Sequence, residues 1–146
     1  METKAIENFR SGLNCAQSIV RAFTENLKDK EGILLSVSCG FGGGMGRLQE
    51  TCGAVTGAFM VIGLHNCKNL TSNSERKEAT YAMVQNFSQK FKSNNGAIDC
   101  KSLLKCDLST EDGRQYAHQH HLFEKICERC IADSANILEE LLKKMN

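Results

Sequence analysis

The residues with chemistry in them are cysteines, eight in a chain of 146: Cys15, Cys39, Cys52, Cys67, Cys100, Cys106, Cys127 and Cys130. Three of these follow a residue that caps helices well, in the pairs Asn14-Cys15, Thr51-Cys52 and Asp99-Cys100. A capping side chain accepts a backbone N–H at the helix start, so each pair predicts a cysteine at the first helical position. Unpaired N–H groups and the positive end of the helix stabilise a thiolate there and lower its pKa. The thiolate is the form that attacks disulfides and binds metals. Asp99, an anion beside Cys100, partly opposes this. Cys127 falls on the apolar face of the last predicted helix, and Cys130, three residues on, shares that face. "CERC" is a C-x-x-C, a spacing used by zinc and redox sites. A second C-x-x-C at zinc-finger spacing is absent, which disfavours a common zinc module. No C-x-x-C-H occurs, so covalent haem attachment is not expected. Any one cysteine taken alone reads equally well as a small buried apolar residue.

Gly53 follows Cys52, where a side chain would crowd whatever the sulfur binds. Gly57 lies four residues on, and such spacing lets a second helix approach closely. "GFGGGMG" (40–46) fails as a phosphate loop because no strand precedes it and no Gly-Lys-Ser/Thr follows. Its backbone N–H groups can approach the sulfur site, with Arg47 adding positive charge, although a plain connecting loop explains it equally well. "HQHH" (His118, His120, His121) sits among polar residues and reads as an exposed face rather than a metal site. No Ser-His-Asp arrangement is readable, and the scattered carboxylates give no support for paired acid–base catalysis.

The elements that must position these cysteines read as helices. Ile6, Phe9, Leu13, Ala16, Val20, Phe23 and Leu27 recur at alternating steps of three and four. "SGLN" divides them into helices of about 3–11 and 15–28, with Gly12 ending the first and Asn14 with Gln17 forming a capping box for the second. Residues 31–38 form a short helix and 40–46 a loop. An apolar helix follows from Thr51 to about His65. A helix over 73–93 places Tyr81, Val84, Phe87 and Phe91 on one stripe, behind a Ser72/Glu75 capping box. "CKSLLK" makes one or two turns, and a helical stretch begins near 111. The last helix carries Phe123, Ile126, Cys127, Cys130, Ile131, Ile137, Leu138 and Leu141 on its stripe. No segment alternates with period two and proline is absent, so the expectation is an all-α single domain over 1–146, a bundle of five or six helices.

Composition narrows the partners. Eighteen basic and seventeen acidic residues nearly cancel, which argues against nucleic acid or a membrane surface. The longest apolar run, Gly53 to Leu64, is shorter than the roughly 20 residues of a membrane span. The polar start "METKAIENFRSGLNC" has no signal core, so a cytoplasmic protein is expected, where cysteines serve metal or redox chemistry more than disulfide scaffolds.

The pieces "SGLNCAQSIVRAF", "FGGGMGRLQETCGAVTGAFMVIGL", "CKSLLKCDLSTEDG" and "CERCIADSANILEELL" resemble the redox-active family named for its own motif, C_GCAxxG_C_C. The resemblance spans residues 11 to about 142. It implies that the defining cysteines are Cys15, Cys52, Cys100 and Cys127, with Gly53 and Gly57 from the central motif, here "CGAVTG". Cys39, Cys67, Cys106 and Cys130 fall outside the pattern. A similar domain is joined to c-type haem segments in split-Soret-type cytochromes, where it is associated with an iron–sulfur site. The resemblance therefore implies redox chemistry and points to Cys15, Cys52, Cys100 and Cys127 as ligands of an iron–sulfur cluster, with Gly53 beside it, serving electron transfer or redox sensing. An unidentified redox partner protein is implied, and a homodimer is left open. The alternatives are a thiol–disulfide oxidoreductase with Cys15 or Cys52 as the attacking thiol, structural zinc on the same cysteines, and a helical interaction module whose cysteines only pack.

Overall fold

The structure, a computed structural model, describes residues 1–145; of the expected span 1–146, residue 146 lies outside it. All-α architecture is observed, with Glu2–Arg10 (α1), Cys15–Phe23 (α2), Glu31–Ser38 (α3), Gly53–Asn69 (α4), Asn73–Asn95 (α5), Cys100–Leu104 (α6), Glu111–Gln119 (α7) and Glu128–Lys143 (α8). Eight helices among the described residues replace the expected five or six. The finer division has local causes. Asp99 caps α6 and Lys105 ends it in the left-handed region, at φ 56°, so that helix stays five residues long. The helix expected over 15–28 stops at Phe23, where Thr24 turns its Oγ1 back onto the Val20 carbonyl (2.7 Å) and the chain continues as a 3₁₀ segment, Glu25–Lys30. The last helix begins with a π-helical turn, Phe123–Cys127, and straightens into α8 only at Glu128.

The capping reading holds at Asn14, whose side chain accepts from Gln17 N while Gln17 returns a bond to Asn14 N. Ser72 caps α5 through Glu75 N. Tyr81, expected on the buried stripe of α5, is 56% exposed, and Met83 packs inward with Phe87 and Phe91 instead. The core gathers these with Ile19, Val55, Ile62, Ile131 and Leu138, and α4 runs through its middle with α2, α5 and α8 against it. Two small contacts bring the helices close. A Cβ on Gly57 would stand 2.7 Å from the Ala16 carbonyl oxygen, so this glycine is what lets α2 lie on α4. On the other side Ser134 Oγ donates to the Ala54 carbonyl at 2.7 Å, joining α8 to the start of α4. Among the described residues no helix is long and apolar enough to cross a membrane.

Candidate redox site

Cys15 opens α2 and Cys100 opens α6, both at the first helical position behind their expected caps; Asp99 accepts from Ser102 N at 2.9 Å. Cys52 differs from expectation. It is itself the N-cap of α4, with extended backbone (ψ 136°), and the helix begins at Gly53. Thr51 does not cap it, because Thr51 is engaged in an isolated antiparallel bridge with Asp99. Around that bridge Cys52 N donates to the Ile98 carbonyl (2.8 Å) and Cys100 N to the Glu50 carbonyl (2.7 Å). Two cysteines nearly fifty residues apart are thus fixed side by side by backbone alone. Cys127 closes the π-helical turn, a distortion that recurs at functional sites.

The glycine-rich segment closes the site from above. Gly43, Gly44, Met45, Gly46 and Arg47 all have φ between 65° and 67°, a full turn of left-handed helix, closed by Gly46 N donating to the Gly42 carbonyl at 2.8 Å. That hand costs an L-residue about 1–2 kcal/mol, which explains the glycines, while Met45 and Arg47 bear the strain. The turn sits tightly on the cysteines: a Cβ on Gly44 would meet Cys100 Cβ at 2.6 Å. At Gly53 a Cβ would stand 2.9 Å from Cys15 Cβ and 3.0 Å from the Phe41 carbonyl oxygen.

Together these elements enclose a cavity of about 400 Å³ lined by Cys15, Cys52, Cys100 and Cys127. The four cysteines singled out in the sequence therefore come together, from α2, the α4 cap, α6 and the π-helical turn. Cys130, placed outside the pattern, lines the same cavity, is 1% exposed and contacts Cys52. Its i, i+3 relation to Cys127 was the readable signal. Cys39 lies exposed at the rim. Cys67 is exposed and lines a separate groove, and half-buried Cys106 lies outside the lining.

Gln49 was missed altogether. It is buried, at φ 56°. Its Nε2 donates to the Cys106 carbonyl (2.8 Å) and faces Cys100 Sγ at 3.9 Å, and its Oε1 accepts from Leu108 N at 2.8 Å. One amide thereby ties the glycine segment to Cys100 and to the loop that follows α6.

The expected lowering of thiol pKa at the helix starts is overturned at Cys52 and Cys100. The Cys52 thiol is raised well above its ordinary value, first by its hydrogen bond to Cys130 and then by burial; the Ala54 and Val55 N–H groups pull it down, but less. Cys127 is raised by its bond to Cys15 and by burial. Burial, with neighbouring Cys52, pushes Cys100 up to about 12 against the smaller pull of Gln49. Desolvation disfavours the charged form more strongly here than the helix ends favour it. Cys130 alone moves down, because the Cys52 thiol donates to it and Arg129 adds positive charge. The thiols stand in two contacting pairs, Cys52 with Cys130 and Cys15 with Cys127.

Among the described residues no three His, Cys, Asp or Glu side chains stand close enough to hold one metal ion. In type and number the donors match an iron–sulfur cluster, which takes four thiolates spread over several irons. The glycines at 44 and 53 leave backbone rather than side chain against Cys100 and Cys15. No curated protein and no solved structure matches the chain. A family model described as "Putative redox-active protein (C_GCAxxG_C_C)" matches residues 13–141, a span that contains every element lining the cysteine cavity except Phe9. The chain belongs to the C_GCAxxG_C_C family.

Proposed function

We propose that this is a redox protein that holds an iron–sulfur cluster through Cys15, Cys52, Cys100 and Cys127. One observation carries the reading: four cysteines from four separate elements line a single cavity, two of them, Cys52 and Cys100, set side by side by a backbone bridge. When bound, the cluster supplies one-electron transfer. The chain's own residues do the rest. Asn14 and Asp99 orient the helix starts that carry Cys15 and Cys100. Leu103, Leu104 and Phe123 exclude water from the sulfurs. Gln49 offers an N–H towards Cys100 Sγ, and such bonds to ligand sulfur tune potential. Raised thiol pKa values mean that the ligands must lose protons on loading, so affinity rises with pH.

The test is purification without oxygen, followed by a visible spectrum and iron, sulfide and zinc analysis. Iron and sulfide in stoichiometric amounts are expected, and Cys52→Ser is expected to lose most of both. A colourless, metal-free native protein that stays so after reconstitution would sink the reading, as would full cofactor content in Cys52→Ser.

The contact between Cys52 and Cys130 favours a second reading, thiol–disulfide exchange. The Cys130 thiolate would attack a substrate disulfide and expel one thiolate; Cys52 would then displace the other, leaving a Cys52–Cys130 disulfide and two substrate thiols. This reading requires a metal-free protein that cycles between dithiol and disulfide.

A further inference from the structure

The charge around the cysteine cavity is one-sided. Arg47, Arg114 and His118 line it, and among the described residues no Asp or Glu does. Neither arginine forms an ion pair with any described carboxylate. Arg114 is held in place, and Arg47 is exposed. Arg47 ends the left-handed turn at φ 67°, and Arg114 Nη1 donates to the Leu108 carbonyl at 2.9 Å. His118 packs against Phe123 with ring centroids 5.0 Å apart. The lining also carries the apolar side chains of Leu104, Phe123 and Ile126. Unpaired cations above an apolar pocket of about 400 Å³ are a site for a molecule with one anionic end and a short apolar body.

We propose that this cavity binds a small organic acid, its carboxylate on Arg47 and Arg114 and its apolar body against Leu104, Phe123 and Ile126. Naming it as the molecule on which the site acts rests on the redox reading; the binding itself does not. The same cations would also offset the charge of a four-thiolate cluster, and the experiment separates the two roles.

Hexanoate is titrated calorimetrically into the full-length protein as isolated and into the thiol-reduced, metal-free form, with neutral hexanamide as the second probe. Saturable hexanoate binding is expected, with hexanamide weaker by about tenfold or more, since a charge-assisted hydrogen bond is worth about 1.5–3 kcal/mol. The double variant Arg47→Gln/Arg114→Gln is expected to weaken hexanoate by at least as much while keeping its thermal transition and its iron content. Equal binding of hexanoate and hexanamide overturns the proposal, and that comparison needs no variant to fold. Failure of hexanoate to bind the native protein, with iron lost in the double variant, also overturns it and leaves the cations to the cofactor. Hexanoate binding by a protein that never holds iron keeps this proposal and removes the cluster reading.

Discussion

At Gln49 a buried amide meets every demand placed on it: two acceptors for its N–H groups and one donor for its oxygen. Its backbone is also engaged, accepting from Lys101 N at 3.2 Å. Replacement by leucine of similar volume would leave the Leu108 N–H and the Cys106 carbonyl buried without partners, and each such loss costs about 1–3 kcal/mol. Gln49→Leu is therefore expected to lower unfolding stability by about 2 kcal/mol or more in denaturant titrations of the metal-free protein. A change within about 0.5 kcal/mol, the range of surface substitutions, would show that these bonds do not hold the segment. Nothing in "GRLQE" announces this residue. Its importance comes from a chain reversal that brings it against residues more than fifty positions away, and local pattern carries no record of such a meeting. The four defining cysteines were legible because helix caps and family motif are local. Cys130 was half legible: its shared face with Cys127 could be read, its contact with Cys52 could not.

Helices were legible where periodicity runs long, as in α5 and α8, and illegible where single residues divide them. Lys105 and His121 in the left-handed region end or offset helices; histidine is enriched in that conformation, but lysine is not a residue type that favours it. The left-handed turn of residues 43–47 reads in sequence only as a loop, because glycine permits either hand. Glycines inside α4 allow a sharper comparison between elements. At Gly57 a methyl group would stand 2.7 Å from the Ala16 carbonyl and 3.1 Å from its Cα, so backbone must move. At Gly63, in the same helix, nothing lies within 4 Å of the added carbon. Alanine raises helix propensity by up to about 1 kcal/mol at both sites. At Gly57 overpacking of about 1–3 kcal/mol outweighs it. Gly57→Ala is expected to lower the thermal midpoint and Gly63→Ala to raise it. Stabilisation by both would mean that α2 does not approach α4 as closely as described.

Over the whole molecule the raised thiols couple stability to pH. Cys52, Cys100 and Cys127 hold their protons more tightly in the folded chain than the ordinary thiol value of 9.0, with Cys100 at about 12. A group raised on folding contributes its full stability below its unfolded pKa and loses it as pH climbs through the folded value. Between about 9 and about 12 the unfolded chain sheds protons that the folded chain keeps, so stability falls as pH rises. Cys130 has the opposite sign: its lowered value adds stability that is lost as pH falls through the folded pKa. One lowered thiol against four raised ones, half-buried Cys106 among them, leaves the net slope negative. The expectation is that the reduced, metal-free protein loses unfolding free energy steadily from about pH 9 upward, and that Cys100→Ala shows a shallower loss over the same range. Denaturant titrations at a series of pH values, native against variant, cancel the lysines and tyrosines that both share. A cofactor held by the thiolates reverses the dependence, because the folded state then binds fewer protons than the unfolded one. The sign of the slope in the protein as isolated therefore reports whether those sulfurs carry protons or metal, and a slope identical in Cys100→Ala would show that Cys100 is not buried among them as a thiol.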